Sequence, residues 1–337
     1  MSETTLPAND VADRLMRVAK RCIPGTQEVT GVREITSGAS QALWAFDAVT
    51  PRGALPLVAR CARLWSAEMQ ASSAGMAAEA ALLRAAAAGG VPVPAVRGEL
   101  VPQDGLGEGY VMERLEGETR GPRLLRDPAF AELRPRLAAQ CGAILARIHA
   151  LSPAALPPLR CAFARDESLN WAGRHRAAGS ARPVFAWAFR WLRENAPPPA
   201  GEPKLVHADF CNGNLMVGPE GVRGVLDWEL AHFGDPMEDL GLFCMNAWRF
   251  GNIDAPAGGF GSREAFFDGY AAVSGARVDA ARVHWWEVFG TLKWGVSCES
   301  MGRAFLDGTD PSLERAAIGR RASETEIELL HLLAPRR

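Results

Sequence analysis

Three oxygen-bearing side chains follow short apolar runs in the second half of the chain. Asp209 and Asn214 come after Leu205-Val206, and Asp227 comes after a second run, Val222 to Leu226. Phosphoryl transfer uses such a set, because one carboxylate orients the attacking hydroxyl while an amide and a second carboxylate hold Mg²⁺ on a nucleotide. The types and spacing of these residues therefore fit a phosphoryl-transfer site.

The surrounding sequence places these side chains on loops at strand ends. Leu215-Met216-Val217 is a further short apolar run, and Gly218-Pro219-Glu220-Gly221 has the composition of a turn. Polar residues between apolar runs and turn signals are typical of connections between strands. The pattern from His207 to Asn214, taken alone, also fits a loop in which Asp and Asn side chains only cap backbone groups.

The composition is that of an ordinary soluble globular protein. The chain has 337 residues, of which 48% are hydrophobic and 23% charged, and its net charge is -2. This length suits two lobes, each with its own core. The weak net charge and the lack of a basic run argue against a nucleic-acid partner. The seven cysteines form no C-x-x-C pair, which favours reduced thiols and no zinc site.

No segment of the sequence predicts secretion or membrane insertion. Residues 1–5 lack the basic and apolar regions of a signal peptide. The Ala-rich stretch 71–90 carries Glu79 and Arg84, which favours a helix of a soluble domain over a membrane span. We therefore expect a cytoplasmic protein without a membrane partner.

The first part of the chain predicts a small sheet flanked by helices. A helix capped by Asn9 or Asp10 is expected to end near Cys22. Strands are predicted at 29–35, 42–48, 55–61 and 109–113, and a helix at 71–88. We predict an N-terminal helix within 1–27 and an antiparallel lobe over 28–115.

The remainder of the chain predicts helices around the loops described above. Apolar residues at helical spacing indicate helices at 133–149, 165–175, 183–195, 236–249, 262–273, 279–301 and 311–333. We predict a mainly helical lobe over 116–337, so that the fold class is α+β with two lobes.

Several motifs together resemble one known family. His207-x-Asp209-x-x-x-x-Asn214, Leu226-Asp227-Trp228-Glu229 and the run from Ala231 to Gly241 resemble the aminoglycoside phosphotransferase and choline kinase-like family. Two further stretches, 246–251 and 258–263, are similar to a subgroup related to the kinase-like domains associated with acyl-CoA dehydrogenases. The resemblance covers about residues 28 to 300 and implies a protein-kinase-like fold.

The resemblance assigns roles to the three oxygen-bearing side chains. Asp209 matches the catalytic aspartate, which accepts or orients the proton of the attacking hydroxyl. Asn214 and Asp227 match the residues that hold Mg²⁺ on the phosphates of ATP or GTP. With Asp227 at a matching distance after its own strand, this interpretation outweighs that of a capped loop.

The resemblance also implies a nucleotide-binding side. The implied contacts are a phosphate-covering loop at Ser37, Gly38 and Ser40, a cation at Arg60 paired with Glu79, and a hinge at Glu113 and Leu115. Arg60 departs from the family's lysine, although arginine at this place is similar to the subgroup. It keeps the positive charge but is larger and forked. The alternative is that Arg60 and Glu79 are ordinary exposed charges.

Other conspicuous residues have both functional and structural explanations. Glu229, Trp248 and Trp294 are candidates to contact the acceptor, although aromatic residues at helical spacing are usually core. His207 and His149 are expected to be buried and structural. Asp239 is expected to brace the catalytic loop, the segment from His207 to Asn214, and Asp235 is expected to cap the helix that follows. The two assignments rest on the resemblance and on the helix signals around Pro236.

These observations lead to one principal function and three alternatives. We expect an enzyme that moves the γ-phosphate of ATP or GTP to a hydroxyl of a small molecule, acting as a monomer or homodimer. The alternatives are a kinase of hydroxyacyl thioesters, a non-catalytic nucleotide-binding protein, and a metal-dependent hydrolase. The dispersed histidines disfavour the hydrolase, and the presence of Asp209, Asn214 and Asp227 together disfavours the non-catalytic protein.

Overall fold

The computed structural model describes residues 8–35, 41–62, 73–179, 181–199 and 201–334. The chain divides into two compact units. The first comprises Met1–Gly117, Leu151–Leu159 and Arg223–Ala231, and the second Glu118–Ala150, Arg160–Val222 and His232–Arg337. An antiparallel sheet in the first and helices in the second give the α+β class expected from the sequence. The lobe ranges given above stay a prediction.

The first unit is built on a five-stranded antiparallel sheet. Its elements are α1 (Ala8–Cys22), β1 (Glu28–Ile35), β2 (Gln41–Thr50), β3 (Gly53–Ala62), α2 (Met76–Ala88), β4 (Val96–Glu99) and β5 (Gly109–Glu113). The strands lie in the order β1-β2-β3-β5-β4. The four predicted strands are present. Strand β4 was not predicted, since Val-Arg-Gly-Glu is short and half charged.

Alternation along β3 sends its side chains to two faces of the sheet. Leu57 and Ala59 are fully buried and belong to the apolar cluster formed with α1, which includes Leu15. Successive side chains of a strand point to opposite faces. Val58 and Arg60 therefore lie on the face away from α1, and this places a buried cation inside the first unit.

Two helix starts differ from the sequence prediction. Helix α1 spans Ala8–Cys22 in the described part of the chain, so Asp10 lies in its first turn rather than capping it. Asp10 instead pairs with Arg14 one turn later, at 2.7 Å. Helix α2 begins at Met76, later than predicted, because Gly75 before it has a left-handed φ of 84° that a helix cannot continue.

The second unit is mainly helical. Its elements are α3 (Gly121–Arg126), α4 (Arg134–His149), α5 (Ala164–Ala177), α6 (Pro183–Glu194), β6 (Lys204–Val206), β7 (Leu215–Gly218), the first residues of β8 (Gly221–Val225), β9 (His232–Gly234), α7 (Met237–Phe243), α8 (Arg263–Ser274), α9 (Ala280–Leu306), α10 (Leu313–Arg320) and α11 (Ala322–Leu333). Strands β6 and β9 pair antiparallel. The sequence did not predict α3 or β9, both of which are very short.

Close packing around α4 fixes the core of this unit. Helices α4 and α8 cross so closely that a Cβ at Gly142 would lie 2.1 Å from the carbonyl oxygen of Phe266. The rings of Phe266 and Phe210 pack against Phe243, with centroids 5.0 and 5.4 Å away. This aromatic cluster supports the loop that follows β6, because Phe210 belongs to that loop.

Two predicted helices were too long. The helix predicted at 236–249 ends at Phe243, because Arg249 folds back and donates from Nη2 to the carbonyl oxygen of Cys244 at 2.6 Å. The helix predicted at 311–333 is two helices, α10 and α11, which meet at Arg321. In the part of the chain that the structure describes, no helix combines the length and apolar character that crossing a bilayer requires.

Candidate functional site

The loop after β6 holds Asp209 and Asn214 in direct contact. The Asn214 Nδ2 atom donates to the Asp209 carbonyl oxygen at 2.9 Å and to its carboxylate Oδ2 at 2.7 Å. A tight turn over Asn212–Asn214 makes this possible, closed by the Asn214 N–H on the Cys211 carbonyl at 2.9 Å. Because the amide nitrogen is used for these bonds, Oδ1 is the Asn214 atom suited to a metal ion.

Asp239 of α7 braces the start of this loop. Its carboxylate accepts hydrogen bonds from the backbone N–H groups of His207 and Ala208, each at 2.8 Å. Ala208 needs this support, since its φ of 65° is left-handed and unfavourable for a residue with a Cβ. Burial acts to raise the pKa of Asp239, but hydrogen bonds from His149 and the loop backbone outweigh it and lower that pKa.

Both histidines near the loop are buried and structural, as the sequence analysis expected. His149 Nε2 lies 3.0 Å from Asp239 Oδ2, and its Nδ1 lies 2.9 Å from the Tyr270 hydroxyl. With Asp239 ionised, Nε2 donates and Nδ1 accepts from Tyr270. His207 is fully buried, and its Nδ1 accepts from the Asp209 N–H at 3.3 Å.

Asp235 lies one residue before the N-cap of α7, which is Pro236, so the predicted N-cap is off by one residue, although the Asp235 side chain still binds the start of this helix, which carries the brace. Its Oδ1 atom accepts from the Met237 N–H at 3.0 Å, the arrangement expected of a carboxylate at a helix start. Its Oδ2 atom accepts from the Trp286 indole at 2.9 Å and also pairs with Arg282. Helix α7 is therefore tied to α9 at the end nearest to Asp239.

In the first unit, Arg60 is the centre of a buried charge network. Its Nε atom donates to Glu79 Oε2 at 3.0 Å, which is the ion pair predicted from the sequence. Its Nη2 atom donates to Asp227 Oδ1 at 2.6 Å and to Glu229 Oε2 at 3.1 Å. The side chains of Arg60 and Glu79 are 8% and 0% exposed. The alternative that both are ordinary exposed charges is therefore wrong.

The network shifts the ionisation of its members. Burial raises the pKa of Glu79 to about 7, against the attraction of Arg60 and with help from the charges of Asp227 and Glu229. Burial and the Glu79 charge raise the pKa of Tyr110, whose hydroxyl lies 3.2 Å from Glu79 Oε2. Burial opposes the charge on Arg60, but Asp227 and Glu79 outweigh it and raise its pKa. Arg60 thus stays cationic while three carboxylates share it.

Glu229 joins this network to two other segments of the first unit. Its carboxylate accepts from Gln41 Nε2 at 3.5 Å, and its carbonyl oxygen accepts from the Ala74 N–H at 2.8 Å. Within the described ranges, the buried Gln41 Oε1 and Glu79 Oε1 atoms have no hydrogen-bond partner. Two buried acceptors beside a cation are available to a donor supplied by a ligand or water.

Of the other predicted nucleotide contacts, the structure describes only those at the hinge. Ser37, Gly38 and Ser40 lie outside the described residues. The Glu113 N–H donates to the Ala95 carbonyl at 3.0 Å, and its side chain pairs with Arg97, so neither group is open to adenine. Leu115 is half-buried. An adenine at this hinge would use the remaining backbone groups of 113–115.

The predicted acceptor residues fall into two groups. Trp248 and Trp294 lie together in the second unit, with ring centroids 5.6 Å apart. Glu229 belongs to the first unit and binds Arg60. A cavity of about 30 Å³ is lined by Trp294 and Thr291. Their Nε1 and Oγ1 atoms are buried without partners in the described part of the chain, and this space suits one water molecule.

Four residues with clear structural connections to the site were missed. They share burial and contact with a predicted site residue or its brace, and they are Gln41, Tyr110, Asn212 and Tyr270. Only Asn212 carried any signal, as an extra amide inside the loop motif. The partners of the other three lie far away in sequence, so spacing could not indicate them.

The oxygen donors present fit a magnesium ion. Asn214 offers an amide oxygen, and the Asp227 side chain is 29% exposed with a left-handed φ of 62° at its residue. No group of three or more His, Cys, Asp or Glu side chains suited to a metal occurs in the described ranges. Mg²⁺ keeps several waters and needs only one or two protein oxygens, so the oxygen atoms that Asn214 offers in the second unit and Asp227 in the first are each of a type that suits it.

Comparison with protein families gives a match over most of the chain. The model of the APH phosphotransferase enzyme family matches residues 31–276. This span contains Asp209, Asn214, Arg60 and Asp227, and it confirms the resemblance drawn from the loop motif.

Two curated relatives share part of this region. Human acyl-CoA dehydrogenase family member 11 is 30% identical over 149 residues, covering 41% of this chain and 18% of that protein. Mouse acyl-CoA dehydrogenase family member 10 is 30% identical over 176 residues, covering 49% of this chain and 16% of that protein. The chain therefore spans less than a fifth of the length of these relatives.

Solved structures show the same fold at low sequence identity. A Ralstonia eutropha protein with a provisional aminoglycoside phosphotransferase name has a TM-score of 0.74 at 20% identity, over 95% of this chain and 97% of that one. Choline kinase from Cryptosporidium parvum has a TM-score of 0.63 at 12% identity, over 95% and 94%. Aminoglycoside phosphotransferase APH(4)-Ia, in complex with ADP and hygromycin B, has a TM-score of 0.60 at 18% identity, over 95% of this chain and 98% of that one.

Proposed function

The chain belongs to the APH phosphotransferase enzyme family, and from this premise we propose that it transfers the γ-phosphate of ATP or GTP to a hydroxyl of a small molecule. The observation that carries the proposal is the double hydrogen bond from Asn214 to Asp209. It fixes a carboxylate beside an amide oxygen, and Asp239 holds the loop that carries both. A loop that only capped backbone groups would not need this bracing.

The chemistry follows from the roles of these residues. The acceptor hydroxyl oxygen forms a bond to the γ-phosphorus while the bond from that phosphorus to the bridging oxygen of the nucleotide breaks. Asp209 orients the hydroxyl and accepts its proton, and the nucleoside diphosphate leaves. Asn214 and Asp227 would hold Mg²⁺, which would supply positive charge to neutralise the charge that develops on the phosphates.

The nucleotide side rests on the Arg60 network. Arg60 supplies the positive charge that a lysine provides in the family pattern, and its forked guanidinium is suited to bidentate binding of phosphate. Glu79 binds the Nε atom of Arg60, while the Nη2 atom of Arg60 donates to both Asp227 and Glu229. We assign phosphate contacts to Ser37, Gly38 and Ser40, and base contacts to the backbone of Glu113 and Leu115, as further parts of this proposal.

The acceptor class has two candidates. The solved neighbours include an aminoglycoside phosphotransferase with hygromycin B and a choline kinase, which favours a small hydroxyl compound. The curated relatives are named for acyl-CoA dehydrogenases, which favours a hydroxyacyl thioester instead. Trp248 and Trp294 are our candidates to contact either acceptor, and Glu229 acts through Arg60. A cytoplasmic location and a monomeric or homodimeric state are parts of the same proposal.

An ATP-consumption screen tests the proposal. Purified chain with ATP or GTP and Mg²⁺ is incubated with hygromycin B, a macrolide, choline, sugars and hydroxyacyl-CoAs, and nucleoside diphosphate release is followed. We expect one class to raise the release well above the rate with water alone, and Asp209→Asn to abolish that increase. Thermal shifts with each nucleotide measure binding separately. Binding without turnover on any acceptor would favour the non-catalytic alternative, and no binding at all would contradict the proposal.

A further inference from the structure

Asn212 lies inside the catalytic loop, between Asp209 and Asn214, and its side-chain amide binds later segments of the chain. The residue is fully buried. Its Nδ2 atom donates to the carbonyl oxygen of Trp248 at 2.7 Å and to that of Gly258 at 3.1 Å. One amide group thus joins the loop to two segments that come much later in the chain.

The two carbonyl partners belong to the part of the second unit that carries the candidate acceptor residues. Trp248 ends the short turn Asn246–Trp248 and packs against Trp294. Gly258 lies in a turn closed by a bridge between Ala257 and Gly261. The Asn212 amide therefore fixes the distance between the loop and the Trp248 segment.

The packing around Asn212 shows that the amide cannot easily move. A Cβ placed on Gly121 would lie 3.0 Å from Asn212 Oδ1 and 2.4 Å from the Phe250 ring. Only glycine leaves room for the amide there. Rotation of the amide by half a turn would place its oxygen against two carbonyl oxygens, so the observed orientation is the one that chemistry allows.

The catalytic loop therefore has an anchor on each side of Asp209. Asp239 binds the backbone of His207 and Ala208 before it. Asn212 binds the Trp248 segment after it. The first anchor sets the loop on α7, whereas the second sets it against the residues that we assign to the acceptor.

We propose that Asn212 is a positioning residue, which aligns Asp209 with the acceptor hydroxyl by tying the catalytic loop to the Trp248 segment. This proposal rests on the function proposed above. It requires that Asn212 act on transfer to the acceptor more than on transfer to water, because water needs no alignment with Trp248. Loss of a small alignment can cost about 100-fold in rate.

The test compares Asn212→Leu with Asn252→Leu. Leucine keeps the branched shape of the Asn212 side chain but donates no hydrogen bond. Asn252 is the matched control, since its Nδ2 donates to the Gly259 carbonyl at 2.7 Å in the same turn but does not reach the catalytic loop. Rates are measured for ATP with Mg²⁺, both with the acceptor found in the screen and with water alone.

We expect Asn212→Leu to lower kcat for the acceptor by about 100-fold, with hydrolysis of ATP by water and the KM for ATP changed by less than about threefold. Asn252→Leu should leave all of these within about threefold. An equal fall in transfer and hydrolysis for Asn212→Leu would indicate a merely structural role and overturn the proposal. Unchanged transfer would overturn it as well.

Hydrogen exchange decides the point without an acceptor. In the wild-type chain, peptides covering 207–217 and 244–260 should show the same protection against hydrogen exchange, because the two segments open in one event. Asn212→Leu should speed exchange in both, and Asn252→Leu only in the second. Independent opening of the two segments in the wild-type chain contradicts the role of Asn212. If no acceptor is phosphorylated but the segments open together, the proposed function fails while the coupling through Asn212 stands.

Discussion

Arg60 donates to Asp227 at 2.6 Å, so the cation in the place of the family's lysine holds the carboxylate assigned to the metal. The same guanidinium also binds Glu79 and Glu229. These bonds come from two different nitrogens, Nε and Nη2, which a planar guanidinium provides and a lysine with its one nitrogen does not. The departure from lysine is therefore matched by a network built for arginine.

Replacing Arg60 by methionine should destabilise the first unit. It leaves Glu79, which is fully buried, without its cation. Breaking a buried pair in this way costs about 3 kcal/mol, and urea unfolding at pH 8 measures the loss. The control is Arg84→Met, because the pair of Arg84 with Glu99 is about half exposed on both sides, and such pairs contribute less than about 1 kcal/mol. Equal losses for the two variants would show that burial of the Arg60 pair has no energetic consequence.

Glu79 should make stability depend on pH in a defined window. Its pKa is raised from 4.5 to about 7, so between these values the folded chain keeps a proton that the unfolded chain releases. The contribution of Glu79 is therefore most favourable below pH 4.5 and falls as pH rises to about 7, by about 3 kcal/mol in total. The difference in unfolding free energy between wild type and Glu79→Gln, measured from pH 4.5 to 8, should fall with pH. A difference that rises with pH would reverse the assignment.

The contact between Asp209 and Asn214 was predictable because its information is local, whereas their roles in transfer stay a prediction. Asp209 and Asn214 lie on one short turn, and the bonds between them depend only on residues of that turn. The sheet strands were predictable for the same reason, since alternation and turns are local signals. The ion pair of Arg60 with Glu79 came from the resemblance rather than from the spacing.

Contacts between distant segments could not be read from the sequence. Asn212 binds carbonyl groups 36 and 46 residues further along the chain, and any residue type can supply a carbonyl. The end of α7 has a similar cause, because Arg249 binds both the Cys244 carbonyl and Glu287, 38 residues further along the chain, at 3.1 Å. Such bonds depend on tertiary packing, which overrides local helix propensity.

Asp239→Asn should loosen the brace of the catalytic loop. The carboxylate accepts two backbone N–H groups and His149, and an amide would turn a donor toward at least one of them. The expected loss is about 3 kcal/mol at pH 7, measured by urea unfolding. Because the folded pKa of Asp239 lies below 3.8, its contribution is present above pH 3.8 and disappears as pH falls below that value.

A matched control separates the brace from a general effect of charge. Asp310 is a partly exposed aspartate that accepts from the Ser312 N–H at 3.1 Å and pairs with Arg315 at 3.0 Å, and Asp310→Asn should change stability little because solvent weakens a pair at the surface. The two variants should differ in free energy of unfolding at pH 7, and this difference should become smaller as the pH falls below 3.8. A difference that is unchanged at pH 3 would show that Asp239 does not act through its charge.

Asp209→Asn and Asp227→Asn should have different consequences, and together they test the roles of the two carboxylates. At position 209 the amide oxygen still accepts from Asn214, so the loop keeps its shape while the proton acceptor is lost. We expect kcat to fall about 1000-fold with little change in nucleotide affinity.

At position 227 asparagine tolerates the φ of 62°, so only charge is removed. There we expect weaker Mg²⁺-dependent nucleotide binding, measured by titration at several Mg²⁺ concentrations, and an affinity independent of Mg²⁺ in the wild-type chain would contradict the metal role of Asp227.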